Sequence, residues 1–517
     1  MRIDTTLRAS MVVALGGALL GFDSAVVNGV VGPVRDAFDL TPTEVGWTTS
    51  CLILGAMGGN AAAGPLAAKF GRRTVLIFAA LLFTVSALWS ALATSLETLV
   101  VARIIGGLGV GAAILIAPIY IAEIAPPARR GRLVSFNQLG IVVGISAAFF
   151  SNFFLNGYFE EQSPEAQADA WRWMLGVEAV PALLYFLLLW TVPRSPRWLM
   201  SQGRRDEAEA ALTAFGSSIA ELPREEPKAG AGSLRVLFSS KMSRVLVIAL
   251  GLAFFQQITG INAIFYYAST IFEKAGAGVS SQLSQSIIIG LVNLVFTIVA
   301  MRMIDKVGRK PLLLIGSAGM AAALLTTSSA FSSAEYRLDA DTVAKMVADD
   351  ATSDDPMGAA ALEALVDENF TDRDAFLAEV GQVTAGLPEA EAAAFGRKVG
   401  DVAKAALVID GRLVLFAIML FIASFAISLG PVMWTMLSEV FPAEIRGIGI
   451  SVAGFFNSLV SWSVVQLFPW ELENLGPTTT FLIFGVLAVA TFVFTLVFVP
   501  ETKGRSLEEL EAELVRA

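Results

Sequence analysis

Residues 69–73 read Lys-Phe-Gly-Arg-Arg, and residues 306–310 read Lys-Val-Gly-Arg-Lys, 237 positions later. A second pair repeats in the same way: residues 123–131 share Glu, Pro, Arg and Gly with residues 439–447, 316 positions later. The two offsets differ by 316 − 237 = 79 residues, which is the length of the segment 332–410. Repeats of this kind predict two related halves, with an insertion in the second half.

Twelve apolar stretches surround these motifs, and each is compatible with a helix that crosses a membrane. The chain is 55% hydrophobic and 16% charged, whereas soluble domains carry about a quarter charged residues. A hydrocarbon core about 30 Å thick is crossed by about 20 apolar residues. The sequence therefore predicts an all-α membrane protein with 12 transmembrane helices in two pseudo-symmetric six-helix halves. The predicted spans are 8–31, 47–68, 75–93, 97–122, 133–156, 173–192, 243–272, 283–301, 311–331, 412–436, 448–469 and 478–499.

The chain is divided by these spans into four parts. We predict a first half at 1–193, a linker with short helices at 194–241, a second half at 242–499 and a tail at 500–517. Lys and Arg follow every even-numbered span, and such residues mark cytoplasmic loops. We therefore expect a multi-pass protein of the plasma (bacterial inner) membrane with both termini in the cytoplasm.

The negative charge of the chain lies in the insertion. Residues 332–410 hold 17 acidic and 6 basic residues, a net charge of 6 − 17 = −11, whereas the whole chain carries −10. The rest of the chain is thus close to neutral, and nothing indicates a nucleic-acid partner. The insertion is predicted to be extracytoplasmic, with short helices near 360–366 and 390–408. A small folded cap and a loosely ordered loop both remain open.

Two residue counts exclude several kinds of chemistry. The chain has one cysteine, Cys51, and no histidine, so an internal disulfide and a His-based metal site are excluded. Proton transfer would have to use carboxylates. The glycines of 106–111 lie inside a predicted span and not after a strand, so they are not a phosphate-binding loop. We expect no enzyme activity, no cofactor and no metal.

Three charged residues fall inside apolar spans, namely Asp23, Arg103 and Glu178. At about 1.5 Å per residue they lie at a comparable depth in the first half. An unpaired charge at such depth costs at least about 2.5 kcal/mol, so we expect Arg103 to contact one or both carboxylates. The cluster is either an ion pair that holds three helices together or a proton-coupling switch, and we favour the switch.

Neutral amides in other spans are the candidates for substrate binding. An amide both donates and accepts hydrogen bonds, which suits a solute with a ring of hydroxyl groups, and an indole suits an apolar ring face. The alternative is an interhelical hydrogen bond, worth about 0.6 kcal/mol. The candidate substrate-binding residues are Gln138, Gln256, Gln257, Asn262, Asn293, Trp434 and Asn457.

Helix-breaking residues inside two spans predict hinges. Breaks are tolerated where the freed backbone faces protein or a cavity. Gly260 interrupts span seven, and Gly430 with Pro431 interrupts span ten. Tyr266 and Tyr267 follow the first break and are predicted to plug the extracellular side, although simple aromatic packing is the alternative.

Taken in order, the motifs resemble those of the sugar porter family of the major facilitator superfamily, over nearly the whole chain apart from 332–410. The motifs are Gly71-Arg72-Arg73, residues 103–111, Pro118-x-Tyr120-x-x-Glu123, Pro193-x-Ser195-Pro196-Arg197, Gln256-Gln257-x-x-Gly260-x-Asn262, Gly308-Arg309-Lys310, Gly430-Pro431-x-x-Trp434 and Pro500-Glu501-Thr502-Lys503-Gly504. The resemblance implies the major facilitator fold. It also implies that Gln138, Gln256, Gln257, Asn262, Asn293 and Trp434 match hexose-contacting positions.

The resemblance bears on coupling and on gating as well. Proton-coupled symporters carry an aspartate at the position of Asp23, whereas facilitative glucose transporters carry an asparagine there and an apolar residue at the position of Glu178. A cytoplasmic latch is implied that holds the halves together when the site faces outward and parts when it faces inward. Its residues would be Arg72, Glu123, Arg130, Asp305, Arg309, Glu439 and Arg446.

Three positions depart from the family pattern. Ala68 and Arg194 replace acidic residues near the latch, from which we predict a resting bias away from the outward-facing state. Ser458 stands where many sugar porters have tryptophan. Glucose, galactose, xylose and a cyclic polyol therefore all remain open as substrates.

The combined expectation is a secondary active transporter that carries a monosaccharide with protons by alternating access. The alternatives are a facilitative sugar or polyol uniporter and a non-transporting sugar receptor. The expected partners are the sugar, protons and the lipid bilayer, and we expect a monomer.

Overall fold

The computed structural model describes residues 4–126, 129–215, 234–353, 356–442, 444–505 and 507–516. Within these ranges, 12 helical segments are long and apolar enough to cross a membrane, which confirms the predicted number of spans. The helices of spans one to six are Thr5–Phe38, Pro42–Phe70, Arg72–Ala91, Leu96–Ile124, Arg130–Glu160 and the pair Ala170–Gly176 and Ala179–Leu189. Those of spans seven to twelve are Ser243–Ile258 with Ile261–Tyr266 and Ala268–Lys274, Val279–Val307, Arg309–Ser332, Gly411–Ile427 with Leu429–Val440, Arg446–Asn474, and Gly476–Phe498.

The glycine of the repeated basic motif is required by the backbone. Gly71 (φ +91°) ends span two and Gly308 (φ +108°) ends span eight. A positive φ of this size is strained for any residue with a side chain. Both glycines are also crowded, because a Cβ atom would lie 3.1 Å from the ring of Trp198 at Gly71 and 2.6 Å from Oε2 of Glu501 at Gly308. The motif therefore marks the same sharp turn in both halves.

The glycines of span four allow close helix packing. A Cβ atom at Gly107 would lie 2.2 Å from the carbonyl oxygen of Leu52, and one at Gly111 would lie 2.0 Å from that of Ala56. Small residues let helix backbones approach closely in membrane proteins. The glycine-rich stretch thus joins spans two and four, which agrees with its assignment to a membrane helix.

Shorter helices connect the spans. They are Pro164–Ala168 between spans five and six, Pro196–Ser201, Arg205–Ala214 and Leu234–Leu237 in the linker, the 3₁₀ helix Ser240–Met242, and Leu507–Arg516 in the tail. The middle of the predicted linker, at 216–233, lies outside the described residues.

The insertion 332–410, which we call the cap, is a folded unit. It contains helices Ala340–Ala351, Arg373–Thr384 and Glu389–Ala406, the 3₁₀ helix Ala359–Leu365, and strands Glu335–Tyr336 and Leu407–Val408. The two strands pair antiparallel at its base, with Glu335 opposite Val408 and Tyr336 opposite Leu407. A core that includes the buried Leu338, Phe376 and Val402 holds the helices together. Of the two alternatives open from the sequence, the structure shows the folded cap.

Local capping helps to fold this acidic segment. Asp339 precedes the first cap helix and accepts a hydrogen bond of 2.7 Å from the backbone N–H of Thr342. This bond to the backbone of Thr342 holds the pKa of Asp339 below its usual value. Asp372 caps the helix Arg373–Thr384 through a 2.7 Å bond from the backbone N–H of Ala375. We call the side of the molecule that carries the cap the cap face, and the opposite side the basic face.

Candidate functional site

The structure brings Asp23 and Arg103 into direct contact. Their side chains are 1% and 3% exposed, and Glu178 beside them is 3% exposed. Arg103 donates through Nη1 to Oδ1 of Asp23, and its Nη2 donates to the backbone carbonyl of Asp23 at 3.1 Å. One side chain thus holds both the carboxylate and the backbone of span one.

Glu178 is the third member of this cluster. It lies where span six is interrupted, between the helices Ala170–Gly176 and Ala179–Leu189. It interacts electrostatically with both Asp23 and Arg103. Within the described residues, Oδ2 of Asp23 and Oε1 of Glu178 accept no hydrogen bond.

The cluster holds two buried carboxyl groups and one guanidinium, and this imbalance has a chemical consequence. If both carboxyl groups were ionised, the cluster would carry an uncompensated negative charge away from water, which is costly. Binding one proton removes that charge, and each acid retains an oxygen without a partner. The arrangement can therefore hold one exchangeable proton.

A small cavity of about 20 Å³ lies between this cluster and the cap face, with Arg103 in its wall. A cavity of about 10–15 Å³ is enough for one water molecule. Val31, Leu40 and Val45 line this cavity and also line a larger vestibule beneath the cap. A layer of apolar side chains therefore separates the charged cluster from the vestibule.

The amides of the second half form a connected hydrogen-bond network. Gln257 donates to Asn457 at 3.1 Å, and Asn457 donates to Gln256 at 2.9 Å. Asn262 donates to Gln257 at 3.0 Å and to the hydroxyl of Ser461 at 2.7 Å. Spans seven and eleven thus present a group of neutral donors and acceptors without a charged partner in the network.

Ser461 was not among the predicted residues. It follows Asn457 by four positions on a continuous helix, so both side chains lie on the same face. That spacing in the sequence would have identified it.

The helix breaks set the positions of these amides. Gly260 adopts a left-handed backbone (φ +89°) between the first two helices of span seven. In span ten the break lies at Ser428 (φ −124°, ψ −101°), so the prediction that Gly430 and Pro431 are the break is displaced by two residues. Pro431 lacks an N–H and its ring would clash with the carbonyl four residues earlier. The helix therefore ends at Ile427 and restarts with Pro431 in its first turn.

Gln256 fills the gap left by this break. Its Nε2 donates to the carbonyl of Leu429 at 2.8 Å and lies 3.5 Å from that of Gly430. Backbone groups freed at a break in a membrane helix need such a partner. Gln256 therefore ties span seven to span ten as well as belonging to the amide network.

The other predicted sugar contacts lie apart from this network. Asn293 in span eight is buried and Gln138 in span five is half-buried, and the described hydrogen bonds include none from either side chain. Trp434 is 43% exposed. Its ring lies beside Gly454, where an added Cβ atom would be 3.6 Å from the ring. In this conformation these three residues have no polar contact to Gln257 or Asn262.

The two halves are in contact near the cap face. The hydroxyl of Tyr267 in span seven is hydrogen-bonded to that of Thr49 in span two, and it donates to the carbonyl of Val465 at 3.2 Å. Ser50 donates to Gln466 in span eleven at 2.8 Å. Sequence reasoning identified Tyr267 but missed these partners, because single hydroxyls in apolar spans are common.

Other bonds between the halves lie close to the midplane or towards the cap face. Ser146 in span five donates to the carbonyl of Gly290 at 3.1 Å, and the amide of Asn28 donates to the hydroxyl of Ser269 at 2.9 Å. Tyr266 interacts with Ser24 in span one. The seam between the halves is therefore closed on the cap-face side.

Two ion pairs between predicted latch residues lie at the basic face, and each stays within one half. Arg72 contacts Glu123 at 2.7 Å in the first half, and Arg309 contacts Glu439 at 2.8 Å in the second half. In this conformation, which is closed at the cap face, neither pair joins the halves. The predicted latch parts when the site faces inward, so it stays a prediction. Each Arg lies next to the repeated glycine turn and each Glu lies on the adjacent span of the same repeat, which makes the contact local.

The remaining latch residues contribute less in this structure. Arg446 donates to the carbonyl of Phe441 at 3.2 Å within its own half. The side chains of Arg130 and Asp305 lie outside the described residues.

Hydroxyl groups complete the two ion pairs in parallel ways. Ser195 donates to Glu123, and Thr502 donates to Glu439 at 2.5 Å. Both hydroxyl residues belong to motifs quoted from the sequence, yet sequence reasoning gave them no role. The chemical equivalence of Arg-Glu-hydroxyl triples in both halves would have been visible from the repeat.

The departure at Arg194 has a structural counterpart. In the second half, Glu501 accepts hydrogen bonds from the backbone N–H groups of Arg309 at 3.1 Å and Lys310 at 3.2 Å. In the first half, Arg194 precedes Ser195 as Glu501 precedes Thr502. No side chain caps the start of span three, a helix whose terminal residues are all described.

Comparisons with known proteins agree with this arrangement. The sequence model of the family described as "Sugar (and other) transporter" matches residues 9–348 and 395–514. The chain belongs to the sugar transporter family.

Curated relatives of this sugar transporter cover nearly the full chain. It is 34% identical to the arabinose-proton symporter of Bacillus subtilis (strain 168), over 97% of this chain and 93% of that protein. It is 32% identical to the D-xylose-proton symporter of Escherichia coli (strain K12), over 97% of this chain and 94% of that protein. It is 34% identical to the glucose transport protein of Synechocystis, over 98% of this chain and 97% of that protein.

Comparison with solved structures identifies the same superfamily and matches this transporter to a protein of known conformation. This transporter matches the partially occluded inward-open conformation of the E. coli xylose transporter XylE with a TM-score of 0.71 and 29% identity, over 97% of this chain and 99% of that one. It matches XylE bound to 6-bromo-6-deoxy-D-glucose, described as a major facilitator superfamily proton:xylose symporter, with a TM-score of 0.66, 30% identity and coverage of 98% and 99%. The chain is therefore a multi-pass membrane protein with the major facilitator fold.

Proposed function

We propose that this sugar transporter is a proton-coupled monosaccharide symporter that works by alternating access. The observation that carries the proposal is the buried cluster of Asp23, Arg103 and Glu178, in which Arg103 pairs with Asp23 and the second acid, Glu178, interacts electrostatically with both. A sugar-binding protein without coupling has no need for an exchangeable proton at this depth. Relatives named as arabinose-proton and D-xylose-proton symporters support the proposal.

The sugar is proposed to bind at the amide network of the second half. Gln257, Asn262 and Asn457 offer neutral donors and acceptors from two spans, and hydroxyl groups of a sugar can replace the hydrogen bonds that the amides make to each other. Gln138, Asn293 and Trp434 are proposed to complete the site when the halves close around the sugar. The sugar is carried unchanged, so no catalytic step is involved.

We propose that coupling depends on which carboxyl group Arg103 contacts. Arg103 lies against Asp23, and we take this contact as the one made when Asp23 is ionised. A proton on Asp23 removes that charge, which frees Arg103 to turn towards Glu178. Because these residues lie on spans one, four and six, the exchange changes how three helices of the first half are held together. Protonation and movement of the first half are thereby linked.

We further propose that the cap face is extracellular and that both termini are cytoplasmic. The Lys and Arg clusters on the basic face support this orientation. The likeness to an inward-open structure supports it as well, since the seam between the halves is closed near the cap face. The transporter is proposed to act as a monomer in the lipid bilayer.

The test is uptake by purified protein in liposomes under an imposed inward proton gradient. D-xylose, L-arabinose and D-glucose are the sugars to compare, and an uncoupler that collapses the gradient is the control. The proposal expects at least one sugar to accumulate above its external concentration, and the uncoupler to abolish that accumulation. Uptake that stops at equal concentrations would indicate a uniporter, and binding without flux would indicate a receptor.

A further inference from the structure

A vestibule of about 930 Å³ lies between the cap and the ends of the membrane helices. Its floor includes Tyr267, which closes the seam between the two halves. Its roof is formed by cap residues, among them Tyr336, residues 371–374 and Lys404. A solute that travels from the cap face to the seam at Tyr267 has to cross this vestibule.

The cap is attached to the second half of the transporter. It is continuous with spans nine and ten, and its two strands pair at the base. Lys404 of the cap contacts Glu273 at 3.3 Å, on the short helix that follows Tyr267 in span seven. The first half supplies the opposite rim of the vestibule, including Arg35 and Pro42. When the halves separate at the cap face, the cap therefore moves with the second half and the gap towards the first-half rim widens.

The vestibule is far less acidic than the cap that covers it. The cap carries a net charge of 6 − 17 = −11. The described lining of the vestibule has four basic residues, Arg35, Lys274, Arg373 and Lys404, and five acidic ones, Glu273, Asp372, Asp374, Asp401 and Glu473. A nearly balanced set of charged donors and acceptors suits a neutral polyhydroxylated solute, because no single sign of charge is attracted.

The middle of the cap is additional to the shared transport fold. The family match stops at residue 348 and resumes at residue 395, whereas the described structure packs helix Arg373–Thr384 into the core of the cap. This segment therefore lies outside the part of the chain that the family model matches, and its place over the vestibule suits a role in selecting solutes before they reach the seam.

We propose that the cap is a size-selective roof over the transport path. It admits single neutral sugars to the vestibule and excludes long saccharides and other polymers from the seam at Tyr267. The inference rests on the proposed transport function for its biological purpose, but the exclusion itself is a property of the cap and the vestibule.

Labelling of an introduced cysteine tests the exclusion directly. Cys51 is the single cysteine of the chain and is buried, so Cys51→Ser gives a background without thiols. Thr270→Cys places a thiol in the wall of the vestibule. Glu161→Cys, in the exposed loop after span five, is the matched control. The two reagents are a small charged maleimide and a maleimide attached to a polyethylene glycol chain much larger than the vestibule.

With the cap present, the small reagent is expected to label both cysteines, whereas the polymer reagent labels Glu161→Cys and reacts at least tenfold more slowly with Thr270→Cys. Equal reaction of the polymer reagent at both positions, after each rate is divided by that of the small reagent, would overturn the proposal.

A variant without the cap tests whether the cap causes the exclusion. Because Tyr336 and Leu407 are paired, residues 337–406 can be replaced by Asn-Gly, a two-residue turn that suits a hairpin. The polymer reagent is then expected to label Thr270→Cys as readily as the control. If this variant does not assemble, Phe376→Ala in the intact chain replaces it, since loss of this fully buried ring loosens the cap core without touching a membrane helix.

Continued exclusion of the polymer in the variant that lacks the cap, or in assembled Phe376→Ala protein, would show that the cap is not the barrier. The labelling needs no sugar and no proton gradient. A failure of the size-selective roof is therefore distinguishable from a failure of the symport proposal.

Discussion

The two halves of this transporter share a plan and differ in the polar groups that they bury. Both have a glycine turn with positive φ and an ion pair between Arg and Glu at the basic face. Twenty residues before the repeated Glu, however, the first half has Arg103 and the second half has Met419. The first half buries charges beside Arg103, whereas the second half buries a neutral amide network around Gln257.

We propose that this difference reflects separate roles for the two halves, proton binding in the first and sugar binding in the second. Charged groups suit the binding and release of a proton, and neutral amides suit a sugar. Substitutions in the charged cluster of the first half should therefore change coupling, and substitutions in the amide network of the second half should change sugar affinity. The predictions below follow that division, from the largest expected effect to the smallest.

The largest effect is expected for Arg103→Ala, because it leaves two buried carboxyl groups without a cation. Breaking one side of a buried ion pair destabilises a protein by about 3–5 kcal/mol. Thermal unfolding in detergent should show a clear loss of stability, and the double variant Arg103→Ala with Asp23→Asn should recover part of it. Arg35→Ala, which removes an exposed ion pair with Asp36, is the control and should change little. A loss that Asp23→Asn does not relieve would contradict a charge-based cluster.

The next effect is expected for Gln257→Ala in the amide network. Loss of hydrogen bonds worth about 1.4 kcal/mol weakens binding about tenfold, so D-xylose affinity should fall by roughly that factor without any change in protons moved per sugar. Equilibrium binding and coupled flux measure the two quantities. Gln282→Ala is a matched control, because this buried glutamine in span eight bonds to the carbonyl of Ala277 and lies outside the network. A changed ratio of protons to sugar with normal sugar affinity would contradict the assignment of sugar binding to the amide network of the second half.

A smaller effect is expected for Arg194→Glu. This change gives span three an acidic side chain at its N-terminus, as Glu501 does for span nine in the second half. A carboxylate that accepts hydrogen bonds at a helix N-terminus contributes about 1 kcal/mol. The melting temperature should rise slightly, and accessibility labelling should show a shift towards the outward-facing state. Glu501→Arg should act in the opposite direction on stability. A decrease in stability for Arg194→Glu would show that the halves are not equivalent at this position.

The smallest effect is expected for Ser458→Trp. Ser458 follows Asn457 of the amide network and is half-buried. Tryptophan, the residue that many sugar porters have at this position, would therefore reduce the space beside the proposed sugar site. The ratio of the concentrations at which D-glucose and L-arabinose inhibit D-xylose uptake by half should change about two- to threefold. This corresponds to well below 1 kcal/mol. Equal changes for all three sugars would indicate a general packing defect.

The sequence was most informative where burial leaves few options. A charge in an apolar span needs a partner, which is why Asp23 and Arg103 could be paired before the structure was known, and the spans followed from hydropathy. Contacts between helix ends are different, since nothing in the spacing of Arg72 and Glu123 shows that their pair lies within one half. The break at Ser428 was displaced because proline acts on the helix that precedes it. The partners of Tyr267 depend on how the halves meet, which no local pattern encodes.

The most direct test of the account is the proton movement that accompanies sugar uptake. Addition of D-xylose, or of whichever tested sugar accumulates, to liposomes containing the wild-type transporter should make the external medium more alkaline. Asp23→Asn should abolish this change while exchange of labelled for unlabelled sugar continues, because the amide network remains intact. A sugar-dependent pH change that persists in Asp23→Asn protein would contradict the assignment of proton coupling to the charged cluster of the first half.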